Sequence, residues 1–65
     1  MKLLVNGQLH EVTSFDVATV LEELHYGDSV VATAVNGVFI PAELRSTARI
    51  SDGDRLEVVA PMQGG

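Results

Sequence analysis

The chain has 65 residues, no cysteine, 46% hydrophobic residues and a net charge of −5. That length allows one domain, the apolar content excludes intrinsic disorder, and the missing cysteine excludes a disulfide framework, a thiolate zinc site or a catalytic thiol. Four basic residues against nine acidic ones leave no basic stripe for a phosphate backbone, so nucleic acid is not an expected partner.

The acidic surface suits steering towards a basic protein, and it also serves solubility alone. The acid excess is concentrated early, where Lys2 faces Glu11, Asp16, Glu22, Glu23 and Asp28. The absence of cysteine agrees with a reducing cytoplasm, which is the expected location. The N-terminal apolar run ends at Asn6-Gly7 and is too short for a signal peptide. No stretch approaches the roughly 18 apolar residues that span a bilayer, so no membrane association is expected.

Lys2–Val5 and Gln8–Thr13 read as strands flanking Asn6-Gly7. Asn-Gly is the strongest two-residue hairpin signal, because a type I′ turn needs positive φ at both central positions. Alternation puts Met1, Leu3 and Val5 on one face, and Lys2 and Leu4 on the other. Val17, Val20, Leu21 and Leu24 then fall at i, i+3, i+4 and i+7, the apolar face of a helix. Asp16 is placed to cap it, since its carboxylate can accept from the free N–H groups of the first turn. Phe15 and Val20 have the spacing of a hydrophobic staple. Gly27 reads as the C′ residue, ending the helix at about Tyr26, with His25 near the C-terminal carbonyls.

Val30–Asn36 and Val38–Ile40 read as a second pair of strands around Asn36-Gly37, the latter ended by Pro41. One helical turn is expected near Ala42-Glu43-Leu44, a tight turn at Ser51-Asp52-Gly53-Asp54, and a last strand over Arg55–Ala60. The order is β-β-α-β-β-β, an α+β chain with one helix on one face of a sheet. Several topologies fit that order; the last strand is among the most apolar, which favours a central place for it, parallel to the first strand, with hairpin strands at both edges. On that arrangement Leu3, Val5, Leu56 and Val58 face the helix, while Leu4, Phe39, Val59 and Ala34 lie on the open face. Leu4, Phe39, Val59 and the tail residue Met62 are the candidate partner-docking residues.

Catalytic machinery is not legible. His10 and His25 have no nearby Ser-Asp arrangement and no metal-ligand spacing. Asp52-Gly53-Asp54 lacks the later ligands of a calcium loop and reads as a turn. No glycine-rich phosphate loop is present. The chain is therefore expected to be no enzyme and to bind no cofactor or metal. What remains is residues 61–65, a tail after a domain of residues 1–60. Gly64-Gly65 lack Cβ atoms, so they can thread a narrow channel and take φ/ψ values closed to other residues. The Gly65 carboxylate is the least hindered acyl group a protein can present. Six extended residues from Ala60 reach up to ~20 Å, and Pro61 stiffens the exit from the sheet.

Val35-Asn36-Gly37, Ile40-Pro41, Asp52-Gly53-Asp54 before an apolar strand, and the terminal Gly64-Gly65 together resemble the thiamine-biosynthesis sulfur carriers, the ThiS family. The early Asn-Gly hairpin and the Val-x-x-Val-Leu-x-x-Leu helix fit as well, and the resemblance spans essentially the whole chain. It implies a β-grasp, ubiquitin-like fold, with a mixed sheet of about five strands. It implies that an adenylating enzyme, using ATP and magnesium of its own, converts the Gly65 carboxylate to an acyl-adenylate, with Gly64 giving access. Sulfur from cysteine, relayed as a persulfide, then yields a thiocarboxylate that thiazole synthase consumes. The chain would be a carrier and co-substrate, monomeric when free. Two alternatives stay open: a related sulfur carrier such as the small subunit of molybdopterin synthase, and a ubiquitin-like binding module without acyl chemistry. The tail Ala60-Pro61-Met62-Gln63 departs from the family's more β-branched tails, which leaves its contacts open.

Overall fold

Two Asn-Gly turns set the architecture. Asn6 and Asn36 each have φ of 50°, and Gly7 and Gly37 each have 84°, the left-handed pair that a type I′ turn requires. The computed structural model describes residues 1–27 and 29–60. Strand β1 (Lys2–Val5) pairs antiparallel with β2 (Gln8–Glu11), and β3 (Ala32–Val35) with β4 (Val38–Ile40). Strand β5 (Arg55–Val59) lies between the hairpins, parallel to β1 and antiparallel to β3, giving the order β2-β1-β5-β3-β4. The last strand is central and the hairpin strands form both edges, as expected. Ala42–Leu44 forms a 3₁₀ turn, and Gly53, with φ of 87°, closes the turn before β5.

Strand ends differ from the sequence reading. β2 stops at Glu11 instead of Thr13, although the Val12 N–H still donates to the Met1 carbonyl at 2.9 Å. β3 begins at Ala32 instead of Val30, because the Val31 carbonyl accepts from the Arg45 guanidinium instead of from a ladder partner. β5 ends at Val59, one residue before Ala60.

Alternation sorts the side chains as the pattern predicts. Leu3, Val5, Leu56 and Val58 are buried against Val17, Val20 and Leu21 of α1 (Val17–Glu23). Val12, Val31 and Ile50 complete that core, each buried aliphatic side chain contributing about 1.5–3 kcal/mol. Thr33 is the polar group buried with them, and its hydroxyl donates to the Ile40 carbonyl at 3.2 Å.

Both helix ends are specified, one as expected and one not. Asp16 caps the start, accepting from the Thr19 N–H at 2.8 Å and the Thr19 hydroxyl at 2.9 Å. These bonds hold its carboxyl below the usual carboxylate range. Phe15 does not staple onto Val20; its side chain is 59% exposed. The Phe15 carbonyl instead accepts from Ile50 N–H at 2.7 Å, and Asp16 bridges to Arg49. That pairing sends Ile50 inward.

The helix ends at Glu23, not Tyr26, and the left-handed C′ residue is His25 (φ 70°), not Gly27. Tyr26 N–H donates to Leu21 O at 2.8 Å and His25 N–H to Glu22 O at 3.0 Å, the paired bonds of a Schellman motif. Stopping there returns Tyr26 to the core. A continued helix would bring Gly27 to the apolar face, with nothing to bury. Glu23 then reaches back across the domain. Its carboxylate accepts from the Ser14 N–H at 2.9 Å, the Thr13 N–H at 2.9 Å and the Thr13 hydroxyl at 3.1 Å. Hydrogen bonding from Ser14 and then Thr13 lowers its pKa.

Both depressed carboxyls contribute stability that is complete above the unfolded carboxylate pKa and is lost as pH falls through their folded values. Glu23→Gln should therefore lose less stability than the parent chain between neutral and acid pH, as read from urea midpoints. The strained His25 gives a second outcome. His25→Gly relieves a left-handed residue at about 1–2 kcal/mol, offset by about 0.5–1 kcal/mol of glycine entropy. The net gain should raise Tm by several degrees in thermal denaturation; a lower Tm would show that the imidazole contributes more than the strain costs.

Candidate functional site

The site expected from the sequence is the tail and the sheet face beside it. Met62, Gly64 and Gly65 lie outside the described residues, as do Pro61 and Gln63. The described part is the strand that carries them and the surface around its end. β5 alternates Leu56 and Val58 into the core, with Arg55, Glu57 and Val59 on the opposite face. Leu4 stands beside Arg55, Ala34 beside Glu57, Phe39 beside Ala34, and Ala32 beside Val59. Leu4, Phe39 and Val59 thus share the open face. Phe39 and Val59 are each 62% exposed, and Leu4 is half-buried.

They do not form one apolar cluster. Leu4 pairs with the exposed Leu9 on the β1–β2 side of the face. Phe39, Ala34, Ala32 and Val59 occupy the β3–β4 side. Arg55 and Glu57 run between the two on β5. Leu4, Arg55 and Glu57, with Gly7 and Gly37 of the two turns, line a shallow groove of about 470 Å³. A smaller and more apolar groove of about 290 Å³ lies where β5 ends, lined by Val30, Val31, Ala32 and Val59. Val30 is 80% exposed.

Leu9 and Val30 were not among the residues singled out from the sequence. Leu9 was within reach, because the type I′ turn fixes the register that sets it opposite Leu4. Val30 was read as the first residue of a strand, which hid its exposure. The histidines are not brought together. His10 lies on β2 opposite Leu3, and His25 ends the helix. Among the described residues no group of three His, Asp or Glu side chains is arranged to hold a metal ion. No described helix is long and apolar enough to cross a membrane.

Residues 3–65 match the ThiS family. The chain belongs to that family. Its fold is the ubiquitin-like β-grasp, as the five-stranded mixed sheet and single helix show. The crystal structure of thiamine biosynthesis protein ThiS from Geobacter metallireducens is similar, with a TM-score of 0.84 and 29% identity over 100% of both chains. The solution NMR structure of a thiamine biosynthesis protein from the same organism gives a TM-score of 0.79 at 29% identity, over 100% of this chain and 88% of the other. No curated protein matches significantly. The ThiS match extends through Gly64-Gly65, so the family pattern includes the tail as well as the β-grasp body.

Proposed function

We propose that this chain is a sulfur carrier in the synthesis of the thiazole of thiamine, and that the Gly65 carboxyl carbon is the group it presents. The observation that carries the reading is the family match running through residue 65, supported by full-length likeness to a structure named thiamine biosynthesis protein ThiS. A free carboxylate is a poor acyl donor. An activating enzyme with ATP and magnesium converts it to an acyl-adenylate with loss of pyrophosphate. The terminal sulfur of a cysteine-derived persulfide attacks the carbonyl carbon and expels AMP. A thiol then cleaves the resulting S–S bond and leaves a thiocarboxylate on Gly65, which thiazole synthase consumes. Gly64, without a side chain, lets the end enter a narrow channel. The chain acts in the cytoplasm as carrier and co-substrate, and the catalytic groups belong to its partners.

The open face supplies the docking surface in this reading. The exposed Phe39 and Val59 sit on the β3–β4 side of the face, and a few anchor side chains carry most of the binding energy of an interface. Leu4 adds a second contact across Arg55 and Glu57, and Met62 adds a tail contact.

Intact-mass analysis tests the chemistry. Incubation with the activating enzyme, ATP, magnesium and a persulfide source should replace one oxygen by sulfur on the C-terminal fragment. A chain lacking Gly65 should show no such gain. No gain on the full chain, with an enzyme shown to be active, would overturn the reading. The docking role has its own test. Phe39→Ala and Val59→Ala should each raise the activating enzyme's KM for the chain by about tenfold. An unchanged KM with the fold intact would place docking elsewhere.

A further inference from the structure

The two turn asparagines do more than turn. Each extends its side chain onto β5, at opposite ends of the strand. Asn36 accepts from the Arg55 N–H through Oδ1 at 3.0 Å and donates through Nδ2 to Asp54 Oδ1 at 3.1 Å. Asn6 accepts from the Val58 N–H through Oδ1 at 2.9 Å and donates through Nδ2 to the Val58 carbonyl at 3.0 Å. The Asn6 contact has the form of a missing backbone rung. Strand β1 ends at Val5, paired with Leu56, and the Asn6 N–H donates to the Leu56 carbonyl at 3.0 Å. Beyond that point β1 turns away and has no backbone to offer. A primary amide carries one acceptor and one donor side by side, the same pair a peptide group offers a neighbouring strand. The Asn6 amide therefore carries the β1 side of the ladder from Leu56 to Val58, two residues before the last described residue, Ala60. On the other side β3 holds the same segment, through Thr33 opposite Val58 and Ala32 opposite Val59.

The geometry points to Asn6 as a positioning residue: its side-chain amide is the last rung on the β1 side of β5 and fixes where the terminal segment leaves the sheet. As a role in the reaction this rests on the carrier function proposed above. A carboxyl group that must meet an attacking sulfur gains from an origin that does not move, because small displacements of reacting atoms cost large factors in rate. Asn6 touches no reacting atom and acts through Val58. Without it, the Val58 N–H and carbonyl, which both face the β1 side, lose the partners they have here, and the end of β5 is held by β3 alone.

Asn36 provides the control. It has the same φ as Asn6 and precedes a glycine of the same φ. It makes the same number of side-chain bonds, but at the strand start. Asn6→Gly and Asn36→Gly both keep the left-handed turn conformation and both remove two such bonds. Their effects on the turn and on the unfolded chain are matched.

Amide hydrogen exchange, corrected for global stability from urea unfolding, reads the anchoring directly. Asn6→Gly should speed exchange at Val58 by about tenfold and leave Arg55 near its parent rate, and Asn36→Gly should do the reverse. Equal protection of Val58 in the two variants would overturn the proposal. Steady-state kinetics with the activating enzyme read the positioning. At equal folded fraction, Asn6→Gly should lower kcat by about tenfold with KM near unchanged, since the docking residues Leu4, Phe39 and Val59 are unaltered. Asn36→Gly should leave both constants near the parent values. Equal kcat in the two variants would leave Asn6 a purely structural residue and overturn the role in catalysis. Asn6→Asp keeps the acceptor for the Val58 N–H but sets a carboxylate oxygen against the Val58 carbonyl, and should not restore kcat. If the parent chain is not adenylated, the carrier function fails, and the exchange pattern alone decides the anchoring.

Discussion

Everything in this domain depends on a strand that comes last in the chain and sits in the middle of the sheet. β5 is bonded to β1 on one side and β3 on the other, so neither hairpin is joined to the other until it arrives. Its inward side chains, Leu56 and Val58, are the meeting point of the core, with Leu3 and Val5 beside them and the helix above. The pairing with β1 is parallel, which requires the chain between to cross over before it returns. Here that connection contains both edge strands and the helix. The loop-closure cost of joining residues fifty positions apart must be met before the central contacts form. The locally encoded hairpins reduce it by presenting two finished edges.

That division explains what could be read from the sequence. Each hairpin is signalled by two adjacent residues, Asn-Gly, whose left-handed preference is intrinsic. Alternation then assigns Leu3, Val5, Leu56 and Val58 to the core without any knowledge of neighbours. The helix start is equally local, because Asp16 and Thr19 are three residues apart. The helix end is not local. Gly27 is the residue intrinsic preference selects, but ending at His25 returns Tyr26 to the core, and packing outweighs the cost of a left-handed histidine. Phe15 shows the same competition: its spacing to Val20 fits a staple, yet strand-like pairing with Ile50 turns it outward. The long-range side-chain bonds were out of reach altogether. Glu23 to Thr13 and Ser14, and Asn6 to Val58, join residues with no pattern connecting them along the chain.

The site divides along the same line. The proposed reactive end is read from the sequence alone, because two glycines in a familiar frame are a chemical statement that needs no fold, and Gly64 and Gly65 lie outside the described residues. The face beside it was legible in membership and not in shape. Alternation placed Leu4, Phe39 and Val59 on one side of the sheet, but strand order decides what stands between them. With β5 central, Arg55 and Glu57 separate an apolar area on β1–β2 from another on β3–β4. A uniformly apolar partner would bury two charges without compensation, at several kcal/mol per unpaired ion. A partner that fits must carry an acid and a base in a fixed order between two apolar contacts. If this face docks a partner as proposed, the charged strip rejects wrong surfaces and sets the register of the right one.

That register bears directly on the proposed reaction, because the strip and the tail belong to the same strand. A partner that reads Arg55, Glu57 and Val59 is aligned along β5, the strand that precedes Gly65 in the sequence. The five residues beyond Ala60 span at most about 18 Å when fully extended, so a reactive centre must lie within that distance of the strand end. Recognition and delivery are then coupled by geometry. Tilting the docked strand moves the acyl carbon by an amount that grows with distance from the last fixed rung. On the β1 side, a rung at Val58 instead of Leu56 shortens the unheld length by two residues, while β3 holds the other side through Val59. The device that supplies that rung is an amide on a turn residue already required for another reason, so a single side chain serves the fold at its beginning and the proposed chemistry at its end.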